Sequence, residues 1–256
     1  MKTLLLSISL IVSAIISKAD CLEYGIQVIW PIGKTISNNS IIVINSSDPN
    51  FLAKVLSKNF IYLRQVNGKV KIFLTVIQIC NGVNLKQVIL KAGAPLVDDT
   101  EYGLFYNQPH NKQTKAQANS NNESPIRKWV VQKSVDSYLP AWISQPKIIR
   151  KQYYPYGCGP DVKVIFSINA LARSPLLIKA VLKNKRTGVM DTCYLTYKFG
   201  VLELGHNMCW GEFRFANEPV SDKDEYESTF WLIDESGKTS IASNTLRFVE
   251  PGQLDR

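Results

Sequence analysis

Histidine is nearly absent from this chain of 256 residues, which has only His110 and His206. Two imidazoles so far apart offer no relay for proton transfer, and no Gly-x-Ser-x-Gly elbow or glycine-rich phosphate loop is present. Serine-hydrolase and nucleotide-binding chemistry are therefore not expected. A second long apolar run is also missing. Residues 4–16 form the only one, and it is too short to span a bilayer. Beyond it no sustained 3.6-residue periodicity occurs, so no helix is expected.

What is present begins with an address. Lys2, the apolar run at 4–16, and the small residues Ser17 and Ala19 describe a secretory signal peptide over residues 1–19. The mature chain then starts near Asp20 and is expected to be secreted or periplasmic, with no transmembrane segment. Cys21 follows Asp20 where a lipid-attachment site needs a small residue, so plain export is the expectation. Loss of Lys2 and Lys18 lowers the formal net charge from +9 to +7. The basic excess gathers at Lys112, Lys115, Arg127, Lys128, Lys133, Lys147, Arg150 and Lys151, whereas the stretch 218–235 is acidic. Such a division steers anionic partners or keeps a protein soluble.

The rest of the chain reads as short strands. Val70, Ile72, Leu74 and Val76 share one parity, which carries Cys80 inward with them, and Asn67-Gly68 before them marks a tight hairpin. Later, Val162, Val164, Phe166 and Ile168 alternate, as do Leu176, Ile178, Ala180 and Leu182, and then Cys193, Leu195, Tyr197 and Phe199. Leu96 and Tyr102, six residues apart and leading into a strand, have the spacing of a tyrosine corner. In that motif a buried tyrosine bonds back to the backbone upstream, and Val220 with Tyr226 repeats the spacing. The expected fold is all-β: two antiparallel β-sandwiches in tandem after the leader, over residues 20–135 and 147–256, with a linker at 136–146. A polar stretch at 107–125 is read as a long loop of the first domain, where such sandwiches carry binding loops.

The pattern Leu96, Thr100, Tyr102 resembles the corner of fibronectin type III and bacterial immunoglobulin-like domains, and Tyr226 with the turn at 234–237 resembles the end of such a module. Asp98-Asp99 stands where those corners often carry proline. The resemblance implies an exported spacer, adhesin or binding accessory and no chemistry. Periplasmic pilus chaperones share the two-domain plan and a basic cleft, but their strand motifs have no match here.

Five cysteines in an exported chain favour disulfides. Cys21 with Cys80 is the expected pair of the first domain; in the second, Cys209 is expected to pair with Cys158 or Cys193. The densest polar cluster, residues 205–211, sets His206 beside Cys209 and Trp210. The rival reading is therefore a thiol- or metal-dependent enzyme centred on His206 and Cys209. The spacing lacks the paired-cysteine pattern of a zinc site, and no cofactor motif is found, so the expectation is no metal, no cofactor and no catalytic residue. The expected contact surface comprises Lys112, Lys115, Arg127, Lys128, His206, Trp210 and Trp231, facing a protein or an anionic glycan; export argues against a nucleic-acid partner.

Overall fold

The computed structural model describes residues 25–57, 60–107, 124–133, 138–156, 159–215, 224–252 and 255. The leader, Cys21, Cys158, Val220, and Lys112 and Lys115 of the polar loop lie outside them. The described chain is nearly all-β, as its alternating patterns require.

In the first unit β1 (Ile26–Trp30), β2 (Thr35–Ile36), β3 (Ile41–Ser46), β4 (Ile61–Gln65), β5 (Lys71–Asn81), β6 (Lys86–Ala92), β7 (Glu101–Tyr106) and β8 (Arg127–Val131) form one sheet, in the order β1-β3-β6-β5-β4-β7-β8-β2. β5 joins the two halves, pairing with β4 through its first residues and with β6 through the rest. The two ends of this order, β1 and β2, are consecutive in the chain, so the sheet folds back on itself around a core that includes Ile44, Leu63, Leu90, Leu104 and Trp129. Tyr102 lies in that core, and its hydroxyl accepts hydrogen bonds from the Val97 N–H at 3.2 Å and from the Gln65 amide at 3.3 Å. Tyr102→Phe is expected to lower stability by about 1–2 kcal/mol, because both donors lose their acceptor. Urea unfolding reads this, and an unchanged midpoint would mean that the corner does not fasten the strand.

Three details depart from expectation. A short helix, α1 (Phe51–Leu56), buries Phe51 and Val55 one turn apart, too short a period to stand out in sequence. The connection between β4 and β5 is longer than a two-residue hairpin: Asn67-Gly68 makes a turn closed by the Gly68 N–H on the Gln65 carbonyl, and pairing resumes only at Lys71. Finally, a β-bulge between Val76 and Gln78 reverses the parity of β5. Cys80 therefore shares the outer face with its cross-strand partner Gln87, leaves the first core, and is a free, buried thiol, which corrects the expected Cys21–Cys80 bridge.

The second unit has a three-stranded sheet, β13-β10-β9, and a four-stranded sheet, β12-β11-β14-β15. Its strands are β9 (Ala141–Tyr156), β10 (Gly159–Leu171), β11 (Leu176–Asn184), β12 (Met190–Thr196), β13 (Val201–His206), β14 (Glu225–Asp234) and β15 (Leu246–Val249). β9 begins inside the stretch 136–146 expected as linker, so residues 141–146 belong to a sheet. The two sheets enclose Phe166, Ile178, Leu204, Phe230 and Leu232, with Phe166 and Ile178 inward as their alternation predicts. Cys193 is buried there as a free thiol, which removes it as a partner for Cys209.

Buried Asp224 ties the start of β14 to the β11–β12 turn. It accepts hydrogen bonds from Arg186 at 2.5 and 2.8 Å and from the Asn184 amide at 2.7 Å. The Arg186 hydrogen bond holds this carboxyl below its ordinary range. A depressed carboxyl stabilises the fold above its unfolded pKa, and the contribution is lost as pH falls through the folded value. The melting temperature is thus expected to fall more steeply below about pH 4 for the native chain than for Asp224→Asn, and parallel curves would refute the assignment.

The two units are stacked face to face instead of end to end. Trp30, Val43, Cys80 and Ile89 on the outer face of the first sheet meet Leu177, Tyr194 and Ile233 on the outer face of the second unit's four-stranded sheet. At the middle of this joint Gln87 donates to the Tyr194 carbonyl at 2.8 Å and accepts from the Tyr194 N–H at 2.7 Å, while the Tyr194 hydroxyl donates to Gln78 at 2.9 Å. One end is tied by Ser37 and Ser40 to the carbonyls of Ser236 and Glu235. At the other, Val83 and Gly211 exchange backbone hydrogen bonds at 2.9 and 3.2 Å, and the Asn84 amide donates to the Cys209 carbonyl at 2.9 Å.

Candidate functional site

The 205–211 cluster leaves β13 at this second end of the joint. Gly205 has φ +142°, and a Cβ there would stand 2.0 Å from the Val162 carbonyl oxygen, so the strand can end in this way only with glycine. Asn207 then shapes the loop: its side-chain oxygen accepts from the N–H groups of Cys209 and Trp210 at 2.8 and 3.0 Å, and its own N–H donates to the Trp210 carbonyl at 2.9 Å. Together with the bonds to Val83 and Asn84, this fixes the loop against the first unit.

Two adjoining cavities result. One, of about 340 Å³, is lined by Gln27 and Asn45 from the first unit and by Lys163, Glu203, His206, Trp210 and Glu212 from the second. The other, of about 800 Å³, continues past Trp210 toward Asp48, Lys86, Met208 and Arg214, and shares Leu85, His206 and Trp210 with the first. In the smaller cavity the Lys163 ammonium lies 3.1 Å from Glu203 and 3.5 Å from Asp161. Burial works against that charge, but the hydrogen bond that Lys163 donates to Glu203 and the field of Asp161 outweigh it and hold Lys163 above its ordinary range. Burial pushes the Glu212 carboxyl up, so it holds its proton to a higher pH than a free glutamate.

The predicted residues are only partly brought together. His206, buried at the end of β13 with Nδ1 3.0 Å from the Asn207 carbonyl, and Trp210 share both cavities. Trp231 does not join them: it is half-buried on β14, with the Lys179 ammonium 5.5 Å from its ring centroid. Arg127 and Lys128 are exposed on β8, and Arg127 donates to the Ile32 carbonyl at 2.5 Å. Cys209 is disulfide-bonded and therefore offers no thiolate. Among the described residues, no group of three or more His, Cys, Asp and Glu side chains is arranged to hold a metal ion.

Gln27, Asn45, Lys163, Glu203 and Glu212 were not anticipated. Lys163 and Glu203 are visible in sequence only as outward positions of strongly alternating strands, which ordinarily mean solvent.

No family model matches the chain, and no curated protein matches it. Among solved structures, the chain is similar to pullulanase type I from Bacillus subtilis str. 168 complexed with maltose, at 11% identity and a TM-score of 0.24 over 88% of this chain. It is also similar to pullulanase from Anoxybacillus sp. LM18-11 complexed with maltotriose, at 12% identity and a TM-score of 0.24 over 85% of this chain. It spans 25% of each of those chains. Likenesses this low carry no argument about its activity.

Proposed function

We propose that this chain is an exported, non-enzymatic interaction module of two immunoglobulin-like β-sandwiches, acting at a cell surface or in a periplasm. Lettering the first unit's strands in chain order puts A, B, E and D in one half of the folded sheet and C, F, G and the second part of A in the other, the plan of an immunoglobulin-type sandwich. The second unit, with A, B and E facing C′, C, F and G, supports the fibronectin type III comparison in the same way. The signal-peptide pattern of residues 1–19 supports export.

The observation that carries the reading is the joint. Two sheets fastened through their outer faces make a stiff scaffold, and its rim holds a cavity whose walls come from both units. A disulfide-bonded Cys209 gives the thiol-enzyme alternative no nucleophile. The partner is a protein or an anionic glycan reached through Arg127, Lys128 and the neighbouring basic residues.

Biolayer interferometry of the mature chain on immobilised polygalacturonate and heparin tests this, with the soluble polysaccharides assayed for cleavage in parallel. The expected result is salt-sensitive binding, weakened in the Arg127→Glu, Lys128→Glu double variant, without cleavage. Cleavage abolished by His206→Ala would overturn the reading in favour of an enzyme.

A further inference from the structure

We infer that the cavity beside Trp210 is a binding site for a neutral oligosaccharide. This inference rests on the interaction-module reading and names the ligand class of one of its surfaces.

The charge balance of the walls selects the ligand. Lys163 is already neutralised by Glu203 and Asp161, so an anion gains little from it and meets the carboxylate of Glu203. A cation meets the Lys163 ammonium. What remains is a lining dense in hydrogen-bonding groups whose one ammonium is already paired: the Gln27 and Asn45 amides, the paired Lys163 and Glu203, and the Glu212 carboxyl. Hydroxyl groups, which both donate and accept, match such a lining.

Trp210 supplies the other half of the recognition. A pyranose ring presents hydroxyls at its edge and C–H groups on its face, and an indole beside polar side chains meets both. The volume of about 340 Å³ is at the small end of ligand sites and suits about one or two sugar rings. Because Trp210 also lines the larger cavity, a longer chain can pass over it and continue along the rim.

The loop is built in advance of any ligand. Trp210 sits in a turn closed by Asn207, beside the disulfide-bonded Cys209 and the backbone bridge from Gly211 to Val83. Three separate restraints act within a few residues, so little ordering entropy is left to lose on binding.

Isothermal titration calorimetry of the mature chain with maltotriose, cellotriose and triacetylchitotriose tests the assignment. At least one trisaccharide is expected to bind, with Kd raised about tenfold or more in Trp210→Ala and about fivefold in Glu203→Gln, but within about threefold of the native value in Trp210→Phe. Trp231→Phe, away from the cavity, leaves Kd unchanged. If Trp210→Ala does not fold, Trp210→Phe and Glu203→Gln decide, with saturation-transfer NMR on the native chain to show whether the sugar ring protons touch an aromatic side chain.

Unaltered affinity in Trp210→Ala and Glu203→Gln overturns the assignment. So does failure of all three sugars to bind while polygalacturonate still does, and in that case the module reading survives. Trp210-dependent binding followed by hydrolysis upholds the site and instead overturns the non-enzymatic reading.

Discussion

Replacing Gln87 with leucine is expected to cost about 2–4 kcal/mol of stability, because a buried backbone donor and a buried acceptor each lose a partner worth about 1–3 kcal/mol. Gln87 is 1% exposed, and its side chain makes the two hydrogen bonds that edge strands normally receive from a neighbouring strand. Tyr194 lies on β12, at the edge of its sheet, and its N–H and carbonyl face the first unit. Leucine fills similar space and offers neither donor nor acceptor. Its added apolar area cannot offset two orphaned groups in a joint that excludes water.

The same substitution also frees Asn45, whose oxygen accepts from the Gln87 amide at 3.1 Å. Chemical denaturation followed by intrinsic fluorescence gives the stability change. Hydrogen exchange at Tyr194 reports the joint itself, and should accelerate while amides in the two cores, such as Val88 and Ile178, keep their protection relative to global unfolding. A loss below about 0.5 kcal/mol would mean that the two units are held by apolar contact alone.

The contrast between core and joint explains what could be read in the sequence. Strands such as 162–168 and 176–182 show their inner faces because alternation is local, and the Leu96–Tyr102 spacing shows its corner because the hydroxyl bonds a residue five positions away. The joint has no such signature. Trp30, Val43, Ile89, Leu177, Tyr194 and Ile233 occupy the parity that a single sandwich gives to solvent, so each resembles an ordinary exposed apolar residue until the second unit covers it. The bulge in β5 is hidden for a related reason: one unpaired residue, Ile77, leaves the apolar character of 70–80 unaltered while it turns Cys80 to the other face.

The cavity was legible to the extent that it is local. The dense cluster at 205–211 stands out in any reading, but Gln27 and Asn45 reach it across more than a hundred residues, through the joint. A motif search has no access to that distance.

Gly82→Ala is expected to pry this end of the joint open. A Cβ at Gly82 would lie 1.9 Å from the Gly211 carbonyl oxygen and 3.1 Å from the Glu212 Cα, and these are backbone atoms that no rotamer change can move aside. Accommodation requires separating the 82–84 turn from the 209–212 loop by more than 1 Å, roughly the gap to ordinary van der Waals contact. The paired hydrogen bonds between Val83 and Gly211 are lost with it.

Overpacking of this kind costs about 1–3 kcal/mol, and two solvent-accessible backbone hydrogen bonds add a similar amount at most. The cores are untouched, so the chain still folds. The informative readout is ligand affinity: Trp210 and Glu212 move with the loop, away from Gln27 and Asn45, and trisaccharide binding should weaken about tenfold or more even though the variant alters no side chain of the cavity. Native affinity with lowered stability would instead show that the second unit binds alone, and that the walls contributed by Gln27 and Asn45 are incidental.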